Sequence, residues 1–469
     1  MDIETIVTRG LGNACHLIAT DHGDAVVVDP PRDAWRILAV AHERGWRITH
    51  ALETHVHNDY LSGSLELRAA VGAEVIAPAR GGYAFDHRPM DDGDSLDVGE
   101  LRFVARATPG HTPEHLAWDI RSMDGPGSLV AVATCGSLMV GSAGRTDLLG
   151  PGATDELTIA QFHTLRSLAT LPPEVRVLPT HGGGSFCAAG PADDRRTTSI
   201  GDELAMNPLL KAMDEATFRS TALAGYGPYP TYYREMAPIN RAGPAILGVG
   251  PTPPLIGPAR VREALAAGAR VVDARDRADF AAGHLPGSLN IELGDTFASY
   301  VGWHVPFGTP LILVMPEPAV GHGEQAATAL LRIGYDRVVG MLDGGVDAWA
   351  TEGGGLGSYP VVAPGAVAHE TTAGAPSAGI LLDVRDHHEL RDLGGIAGAR
   401  QIPHGELACR LTELPRDQPI TVLCRSGGRA SVAASMLDAA GFDVRLVGDG
   451  GAPEILAAGG PLQPPVPRP

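Results

Sequence analysis

The first part of the chain alternates short apolar runs with stretches in which apolar residues recur every three or four positions. Runs such as DAVVVDPP, which begins at Asp24, are rich in β-branched residues and end in turn-forming residues, as buried strands do. The intervening stretches AWRILAVAHERG and LELRAAVG have the periodicity of amphipathic helices. This alternation predicts an α/β fold, and several of the predicted strands end in polar loops that contain His.

The second half of the chain contains an internal repeat. VVDARDRADFAAGHLPGSLNI from Val271 aligns with LLDVRDHHELRDLGGIAGARQI from Leu381 after one inserted residue, and this register places Met315 opposite Cys424. We therefore divide the chain of 469 residues into four segments. These are an α/β domain (1–205), a connector dense in Tyr, Pro and Gly that we expect to be extended (206–250), and two repeated domains (251–355 and 365–464).

Charge and cysteine content narrow the classes of partner. The formal net charge of −19 disfavours nucleic acid and anionic membranes as partners. The N-terminus lacks a basic run followed by an apolar core, and no apolar run is long enough for a membrane span, which predicts a cytoplasmic protein. Five cysteines, an odd number without paired spacing, indicate reduced thiols.

Cys424 stands at a strand-loop-helix junction in PITVLCRSGGRASVAASMLDAAG. The loop directly precedes the helix, so backbone N–H groups and the positive helix end can converge on the sulfur. Arg425 and Arg429 add positive charge that favours the thiolate. A curled backbone that cradles an anion is expected at Ser426, Gly427 and Gly428. A cysteine that only fills space is the alternative, and the flanking Arg and Gly residues favour the reactive cysteine.

The loop CRSGGRA resembles the active loop of the rhodanese family, whose sulfurtransferases carry sulfane sulfur as a cysteine persulfide. Asp383 and Arg385 in DVRD match the early strand motif of that family, as does DARD in the first repeat. The resemblance covers both repeats and implies α/β domains with parallel sheets, in which Cys424, Arg425, Arg429, Asp383 and Arg385 form the catalytic set. The first repeat has VMPEPAVGHGEQA in place of the loop and lacks a nucleophile, so we expect it to be structural or regulatory.

Histidines at several predicted strand ends indicate a metal site. In THVHND the side chains of His55, His57 and Asp59 would point the same way on an extended segment. His111 in TPGHTPEH and His181 in LPTHGGG close other strands, and His115 follows His111 by four positions. A single such histidine is usually a hydrogen-bonded loop residue, whereas a set that includes H-x-H favours metal ligation.

These motifs resemble the metallo-β-lactamase superfamily over about residues 1–205, which implies an αβ/βα sandwich. The order of the domains is similar to that of bacterial fusions of a persulfide dioxygenase with rhodanese, which oxidise persulfides such as glutathione persulfide with non-haem iron and dioxygen. The resemblance implies that His55 and His111 are iron ligands. The chain departs from the family at two positions, because the expected carboxylate falls at Gly136 and the second-metal histidine at Tyr60.

We expect one metal ion, iron or zinc. Iron(II) oxygenases prefer two His and one carboxylate, and the chain lacks that carboxylate. Three nitrogens from His55, His57 and His111 suit zinc with a bound water. Asp59 and His181 can assist these ligands or take the place of the missing carboxylate. The neutral, bulky phenol at position 60 argues against two full metal sites, and a scaffold whose metal centre has decayed is a further alternative.

The leading hypothesis is an enzyme of sulfane-sulfur metabolism. Cys424 would accept sulfur from a persulfide or thiosulfate and pass it on, while the N-terminal metal domain acts on a persulfide. The alternatives are a zinc-dependent hydrolase of thioesters or lactones and a non-enzymatic, sulfide-responsive scaffold, against which the complete CRSGGR loop argues. The expected partners are small-molecule persulfides, thiosulfate or thiols, and association of identical chains is left open. For Arg145 in GRTD we favour a structural ion pair.

Overall fold

The computed structural model describes residues 1–124, 127–190, 195–212, 214–373 and 379–465. The chain divides into two compact units. The first comprises Met1–Gly250 with Leu331–Gly334, and the second comprises Pro251–Leu330 with Tyr335–Pro469. In the described ranges, none of the helices combines the length and the apolar character that a membrane span requires.

Two six-stranded sheets form the centre of the first unit. The first sheet has the order β1 to β6, with antiparallel pairing from β1 to β3 and parallel pairing from β3 to β6. Its strands are β1 (Asp2–Thr8), β2 (Asn13–Ala19), β3 (Asp24–Val28), β4 (Arg47–Leu52), β5 (Glu74–Pro78) and β6 (Arg88–Met90). The second sheet has the order β12-β11-β10-β9-β8-β7, and only β10 and β11 pair in parallel. Its strands are β7 (Ser95–Val98), β8 (Leu101–Ala107), β9 (Leu116–Ser122), β10 (Leu129–Ala133), β11 (Arg176–Leu178) and β12 (Thr198–Ser199).

The two sheets pack face to face, and helices cover their outer faces. Val26 and Leu52 of the first sheet share a buried cluster with Phe103 and Trp118 of the second. The helices of this unit are α1 (Ala34–Arg44), α2 (Ser64–Val71), α3 (Pro151–Leu168), α4 (Ile200–Met206), α5 (Pro208–Lys211), α6 (Glu215–Gly225) and α7 (Tyr233–Ala242). The apolar faces of α1 and α2 pack on the first sheet, and those of α3, α5 and α6 pack on the second. The predicted αβ/βα sandwich is confirmed.

The second unit contains two five-stranded parallel sheets, as predicted for the two repeats. The first has the order β13-β17-β16-β14-β15, and the second has the order β18-β23-β22-β19-β21. Strands β20 and β24 form a separate antiparallel pair. The strands of this unit are β13 (Leu255–Ile256), β14 (Arg270–Asp273), β15 (Leu289–Asn290), β16 (Leu311–Val314), β17 (Val338–Leu342), β18 (Val361–Val362), β19 (Ile380–Asp383), β20 (Gly395–Ile396), β21 (Arg400–Gln401), β22 (Ile420–Leu423), β23 (Val444–Val447) and β24 (Leu462–Gln463). The equivalent places of β16 and β22 in the two sheets match the register of the internal repeat.

Helices connect the parallel strands of the second unit, as right-handed crossovers between parallel strands require. They are α8 (Pro258–Ala266), α9 (Arg277–Ala282), α10 (Phe297–His304), α11 (Ala319–Arg332), α12 (Gly345–Thr351), α13 (Pro364–Ala373), α14 (His387–Leu393), α15 (Leu407–Arg410), α16 (Gly428–Ala439) and α17 (Ala452–Ala457). Helix α16 directly follows the cysteine loop, as the sequence predicts.

The segment 206–250 is not extended, so that expectation is wrong. It contains α5, α6 and α7, because hydrogen-bonding caps at Asn207 and Asp214 begin α5 and α6 and apolar side chains of these helices find a sheet to cover. Phe218 of α6 and Met236 of α7 are fully buried. The four segment boundaries remain a prediction.

Candidate functional sites

The histidines of THVHND lie in a loop and not on an extended strand, because β4 ends at Leu52. The alternation of side chains along a strand therefore does not explain how they converge. The loop itself brings the rings of His55 and His57 to 4.2 Å between centroids, and it places the His111 ring 5.0 Å and the His181 ring 5.9 Å from that of His55. All four predicted histidines thus form one buried cluster at the ends of strands from both sheets.

Carboxylates behind the cluster fix the orientation of His57. Its Nε2 lies 3.3 Å from Asp29 Oδ1 and 3.4 Å from Glu53 Oε2. Asp29 also accepts hydrogen bonds from the Thr54 amide at 2.8 Å and the Thr180 hydroxyl at 2.6 Å. An imidazole whose one nitrogen is held by a carboxylate presents the other nitrogen as a ligand, which is the usual support of a metal-binding histidine.

The other two strand-end histidines are oriented in the same manner. His111 Nδ1 donates to the Arg145 carbonyl oxygen at 2.7 Å, and His181 Nδ1 donates to Asn13 Oδ1 at 3.1 Å. Asn13 Nδ2 in turn donates to Asp59 Oδ2 at 2.9 Å, which also lies 3.3 Å from His181 Nδ1. These contacts place the protons on Nδ1 and leave the lone pairs on Nε2.

The nitrogen and oxygen atoms on the opposite edges of these side chains lack hydrogen-bond partners. Among the described residues, no hydrogen-bond partner is found for Nδ1 of His57, for Oδ1 of Asp59, or for Nε2 of His55, His111 and His181, although all are buried. Buried polar atoms without partners are rare in folded proteins, and here they share the chemistry of metal ligands. The residues present therefore fit a metal ion. His115 is buried beside them, and its ring stacks on His55 at 5.0 Å between centroids.

Burial and neighbouring charges determine the protonation states of the histidines in this cluster. Burial, together with the nearby His181, lowers the pKa of His111 to about 4, and burial with the nearby His57 lowers the pKa of His55 well below its usual value. Burial alone would lower the pKa of His57, but the carboxylates of Asp29 and Glu53 raise it to about 10. His55 and His111 are thus neutral near pH 7, as ligation requires, whereas His57 is cationic in the absence of metal and has to release its Nδ1 proton when a metal ion binds there.

The two departures from the family pattern have clear structural roles. A side chain at Gly136 has no room, because its Cβ would lie 2.5 Å from His111 Cδ2. The Tyr60 ring packs against His57 at 4.3 Å between centroids, and its hydroxyl donates to the Asp29 carbonyl at 3.2 Å and accepts from His57 Nε2 at 3.0 Å. Tyr60 thus contacts the nitrogen of His57 that faces the carboxylates, and supports this ligand from behind.

Helix α7 and the residue before it, in the segment expected to be an extended connector, donate hydrogen bonds to the loop that contains His57 and Asp59. Asn240 Nδ2 donates to the carbonyl oxygens of His57 at 2.9 Å and Tyr60 at 2.8 Å, and the Tyr232 hydroxyl donates to the Asp59 carbonyl at 3.0 Å. Our sequence reasoning missed these residues, as well as Asp29, Glu53 and Asn13. Asp29 could have been found, because it ends a predicted strand as the histidines do.

In the second unit, the Cys424 sulfur lies at the N-terminus of α16. The Gly427 amide donates to Cys424 Sγ at 3.1 Å. Gly427 adopts a φ of +96°, and a Cβ there would lie 1.6 Å from Arg277 Nη1, so only glycine fits. The loop therefore has a curled backbone at Gly427 and one N–H group directed at sulfur, and the anion cradle formed by Ser426, Gly427 and Gly428 remains a prediction.

The four charged residues predicted around Cys424 differ in environment. Arg425 is exposed, whereas Arg429 forms ion pairs with Glu389 and, at 3.2 Å, with Asp386. Burial opposes its charge, but the hydrogen bonds with Glu389 raise the pKa of Arg429. Asp383 and Arg385 form a buried bidentate pair with each other, and Arg385 Nη2 also donates to the Gly394 carbonyl at 3.2 Å. These contacts support a positioning role for that pair, and the catalytic role assigned to it remains a prediction.

The first repeat contributes directly to the cysteine loop of the second. Arg277 Nη1 donates to the Ser426 carbonyl at 2.7 Å, and the ion pair of Arg277 with Glu292 at 2.6 Å holds the guanidinium in place. His304 of α10 and His404 of the second repeat share a hydrogen bond of 3.0 Å between Nε2 and Nδ1. These contacts support a structural role for the repeat that lacks a nucleophile.

Models of two protein families match separate parts of the chain. The family model of the metallo-beta-lactamase superfamily matches residues 8–181, and that of the rhodanese-like domain matches residues 257–352 and 368–458. A metallo-beta-lactamase from Staphylococcus aureus, solved as a crystal structure, is 25% identical with a TM-score of 0.65. The match covers 73% of this chain and 98% of that one.

Two curated relatives are similar to the first unit. The hydroxyacylglutathione hydrolase of Methylobacillus flagellatus is 35% identical over 162 residues, which cover 34% of this chain and 58% of that enzyme. The enzyme of the same name from Rhodobacter capsulatus is 34% identical over 236 residues, which cover 45% of this chain and 86% of that enzyme. The chain thus spans a little over half of the first relative and most of the second.

Proposed function

Because the chain belongs to the metallo-β-lactamase superfamily and carries two rhodanese-like domains, we propose that it is an enzyme that transfers sulfane sulfur through a persulfide on Cys424. The observation that carries this proposal is the Gly427 amide, which donates to Cys424 Sγ at the N-terminus of α16. A donor so placed stabilises negative charge on sulfur, both in the thiolate and in the persulfide that follows.

Sulfur transfer by this residue needs two displacements. The Cys424 thiolate attacks the outer sulfur of thiosulfate, so an S–S bond forms to cysteine while the bond to the sulfite group breaks and sulfite leaves with its electron pair. An acceptor thiolate then attacks the outer sulfur of the cysteine persulfide and forms a new persulfide, and the Cys424 thiolate is released. A persulfide donor would replace thiosulfate in the same chemistry, with its thiolate as the leaving group.

For the N-terminal domain we propose metal-dependent hydrolysis of a thioester of a small thiol. The unsatisfied nitrogens of His55, His57 and His111 support it, and so does the likeness to two hydroxyacylglutathione hydrolases. A metal ion bound there would supply an activated water and polarise a carbonyl. The chain itself contributes the orientation of the ligands, through Asp29 to His57 and through the Arg145 carbonyl to His111. Oxidation of a persulfide with iron and dioxygen is the competing activity of this domain.

Mass spectrometry of the intact protein after exposure to thiosulfate tests the first proposal. The wild-type chain should gain one sulfur atom, which cyanide or a thiol removes, and Cys424→Ser should gain none while its circular dichroism is unchanged. Cys409→Ser is the matched control, because Cys409 is an exposed free cysteine, and it should behave as the wild type. Sulfur uptake by Cys424→Ser would contradict the assignment.

The second proposal is tested by metal analysis of protein purified without oxygen, followed by two assays on the same sample. Hydrolysis of a hydroxyacylglutathione without dioxygen consumption would support the hydrolase. Dioxygen uptake with glutathione persulfide and stoichiometric iron would replace it with the oxidative reaction. Absence of bound metal and of both activities would refute a catalytic metal site in this domain.

A further inference from the structure

We propose that Cys187 is a thiolate ligand of the N-terminal metal site, together with His111 and His181, and that the site therefore takes a borderline divalent cation such as Zn²⁺. The inference rests on the metal site of the proposed function. It keeps His111 of the three histidines named there, places His181 beside it, and adds Cys187, a donor that the sequence motifs do not reveal. Cys187 lies in the loop that follows β11 and the His181 motif, in THGGGSFCA.

Distances and burial bring these three residues together. The ligand atoms of His111, His181 and Cys187 all lie within 4.8 Å of one another, and all three side chains are buried. The Nε2 atoms of both histidines have no hydrogen-bond partner among the described residues. Two imidazole lone pairs and one sulfur at this spacing are three ligands of a tetrahedral site, with one position left for a fourth.

Arg145 connects the His111 ring with the backbone of Cys187. Its carbonyl oxygen accepts the hydrogen bond of His111 Nδ1 at 2.7 Å, while its own amide donates to the Cys187 carbonyl at 2.8 Å. Its guanidinium donates to the Phe186 carbonyl at 3.0 Å and is held by an ion pair with Asp147 at 2.6 Å. The structural ion pair predicted for Arg145 is thus present, and this residue fixes the positions of two proposed ligands relative to each other.

The surroundings of Cys187 differ from those of an inert buried cysteine. Cys15 represents the inert kind, because it packs in the apolar cluster with Leu17 and Val27. The sulfur of Cys187 instead lies 3.9 Å from the Tyr233 hydroxyl and close to two imidazoles. A thiol in this polar setting can release its proton to water when a cation binds, and the cation then replaces the proton as the partner of sulfur.

A second cysteine, Cys135, also lies near the histidines, but it contacts the nitrogen of His55 that already has another hydrogen-bond partner. Its sulfur lies 3.4 Å from Nδ1 of His55, the nitrogen that also faces the Thr54 hydroxyl at 3.0 Å. The unsatisfied nitrogen of His55 is Nε2, at the other edge of the imidazole. Cys135 therefore lies behind a ligand, and it is a matched control for Cys187, since both are fully buried free cysteines.

The donor set determines which metal is favoured. Thiolate with imidazole suits Zn²⁺ and Co²⁺, whereas iron oxygenases use two histidines with a carboxylate. The lost carboxylate at Gly136 would thus be replaced by sulfur from a different loop.

Cobalt titration of the metal-free, full-length protein under argon tests the proposal. Wild type should show the visible bands of tetrahedral Co²⁺ and a near-ultraviolet sulfur-to-cobalt charge-transfer band at one equivalent. Cys187→Ser should lose the near-ultraviolet band, and its Zn²⁺ affinity should fall by about tenfold or more, since changes behind the ligands already cost that much. Cys135→Ser should keep the near-ultraviolet band, because the sulfur of Cys135 is not a ligand. The band and not the Zn²⁺ affinity separates the two variants, since loss of a group behind a ligand can also cost about tenfold in affinity.

The outcomes separate this inference from the proposed function. Visible cobalt bands without the near-ultraviolet band in Cys187→Ser support the thiolate ligand and keep the metal site. A near-ultraviolet band that persists in Cys187→Ser, or disappears in Cys135→Ser alone, overturns the assignment and leaves the metal site in place. Failure of wild type to bind cobalt or zinc overturns both. Should Cys187→Ser not fold, Cys187→His serves instead, and it should bind cobalt tightly without the near-ultraviolet band.

Discussion

Gly136→Ala is expected to disturb the metal site although it adds only a methyl group. The new Cβ would lie 2.5 Å from Cδ2 and 3.0 Å from Cγ of His111, and the neighbouring Gly144 also packs closely on this ring, since its own Cβ would lie 2.8 Å from His111 Cγ. A methyl group that displaces the ring is expected to disturb its 2.7 Å hydrogen bond to the Arg145 carbonyl. Overpacking costs about 1–3 kcal/mol, and a broken buried hydrogen bond costs about 1–3 kcal/mol.

The entropy that alanine removes from the unfolded chain offsets about 0.4–1 kcal/mol, so we expect a net loss of about 1–5 kcal/mol. Calorimetry of the full chain measures it in the transition that shifts when zinc is added, and competition with a chelator measures the accompanying loss of zinc affinity. Gly152→Ala, in the exposed first turn of α3 with nothing within 4 Å of its Cβ, is the control and should be neutral or stabilising. Equal stability and zinc affinity for the two variants would refute the reasoning.

Three further predictions concern residues that support the histidine cluster or the second unit without being proposed ligands or nucleophiles. Asn240→Ala should lower the free energy of unfolding in the zinc-sensitive transition by about 2–4 kcal/mol, because the substitution leaves two buried carbonyl groups without a hydrogen-bond donor. A loss below about 1 kcal/mol in the same calorimetry would show that Asn240 does not stabilise this loop. Arg277→Gln should slow thiosulfate:cyanide sulfur transfer severalfold, while the exposed Arg260→Gln should not, and equal rates would exclude support of the loop from the first repeat. Burial lowers the pKa of His304 to about 4, below an unfolded value of about 6.5, so its contribution of about 3 kcal/mol is complete above pH 6.5 and is lost as the pH falls toward 4. Chemical unfolding of His304→Asn between pH 4 and 7.5 should therefore show a flatter pH dependence than that of wild type, and parallel curves would contradict it.

The sequence predicts the elements with local signals and misses those that depend on tertiary packing. The apolar run at Asp24 and the helical period after it gave β3 and α1, and the strand-loop-helix pattern around Cys424 gave β22 and α16. The segment 206–250 is rich in Tyr, Pro and Gly, which predicts an extended connector, yet α7 forms there around Pro238, and Met236 of the same helix is fully buried. Propensity is a weak guide where burial supplies the stabilisation.

The metal site shows a similar limit. Motif spacing predicts His55, His57, His111 and His181 as ligands, because the histidines recur in short patterns at strand ends, and the structure brings the four together. The spacing did not identify Asp29 and Asn13, which orient the ligands from distant positions in the chain. Such contacts have no local signature, because they depend on how β2, β3 and β11 are placed in the sandwich.

The Gly136 departure and the position of Cys187 are best understood together. A carboxylate at position 136 would need the space that the His111 ring occupies, so His111 cannot keep its present orientation beside such a ligand. With glycine there, the ring turns its Nδ1 to the Arg145 carbonyl and its Nε2 toward the space that Cys187 and His181 also face. Loss of an oxygen ligand and access of a sulfur ligand to the same histidine are thus two consequences of one packing arrangement. If that is correct, a carboxylate at Gly136 and a thiolate at Cys187 are mutually exclusive, and Gly136→Asp should remove the near-ultraviolet cobalt band even though Cys187 is unchanged.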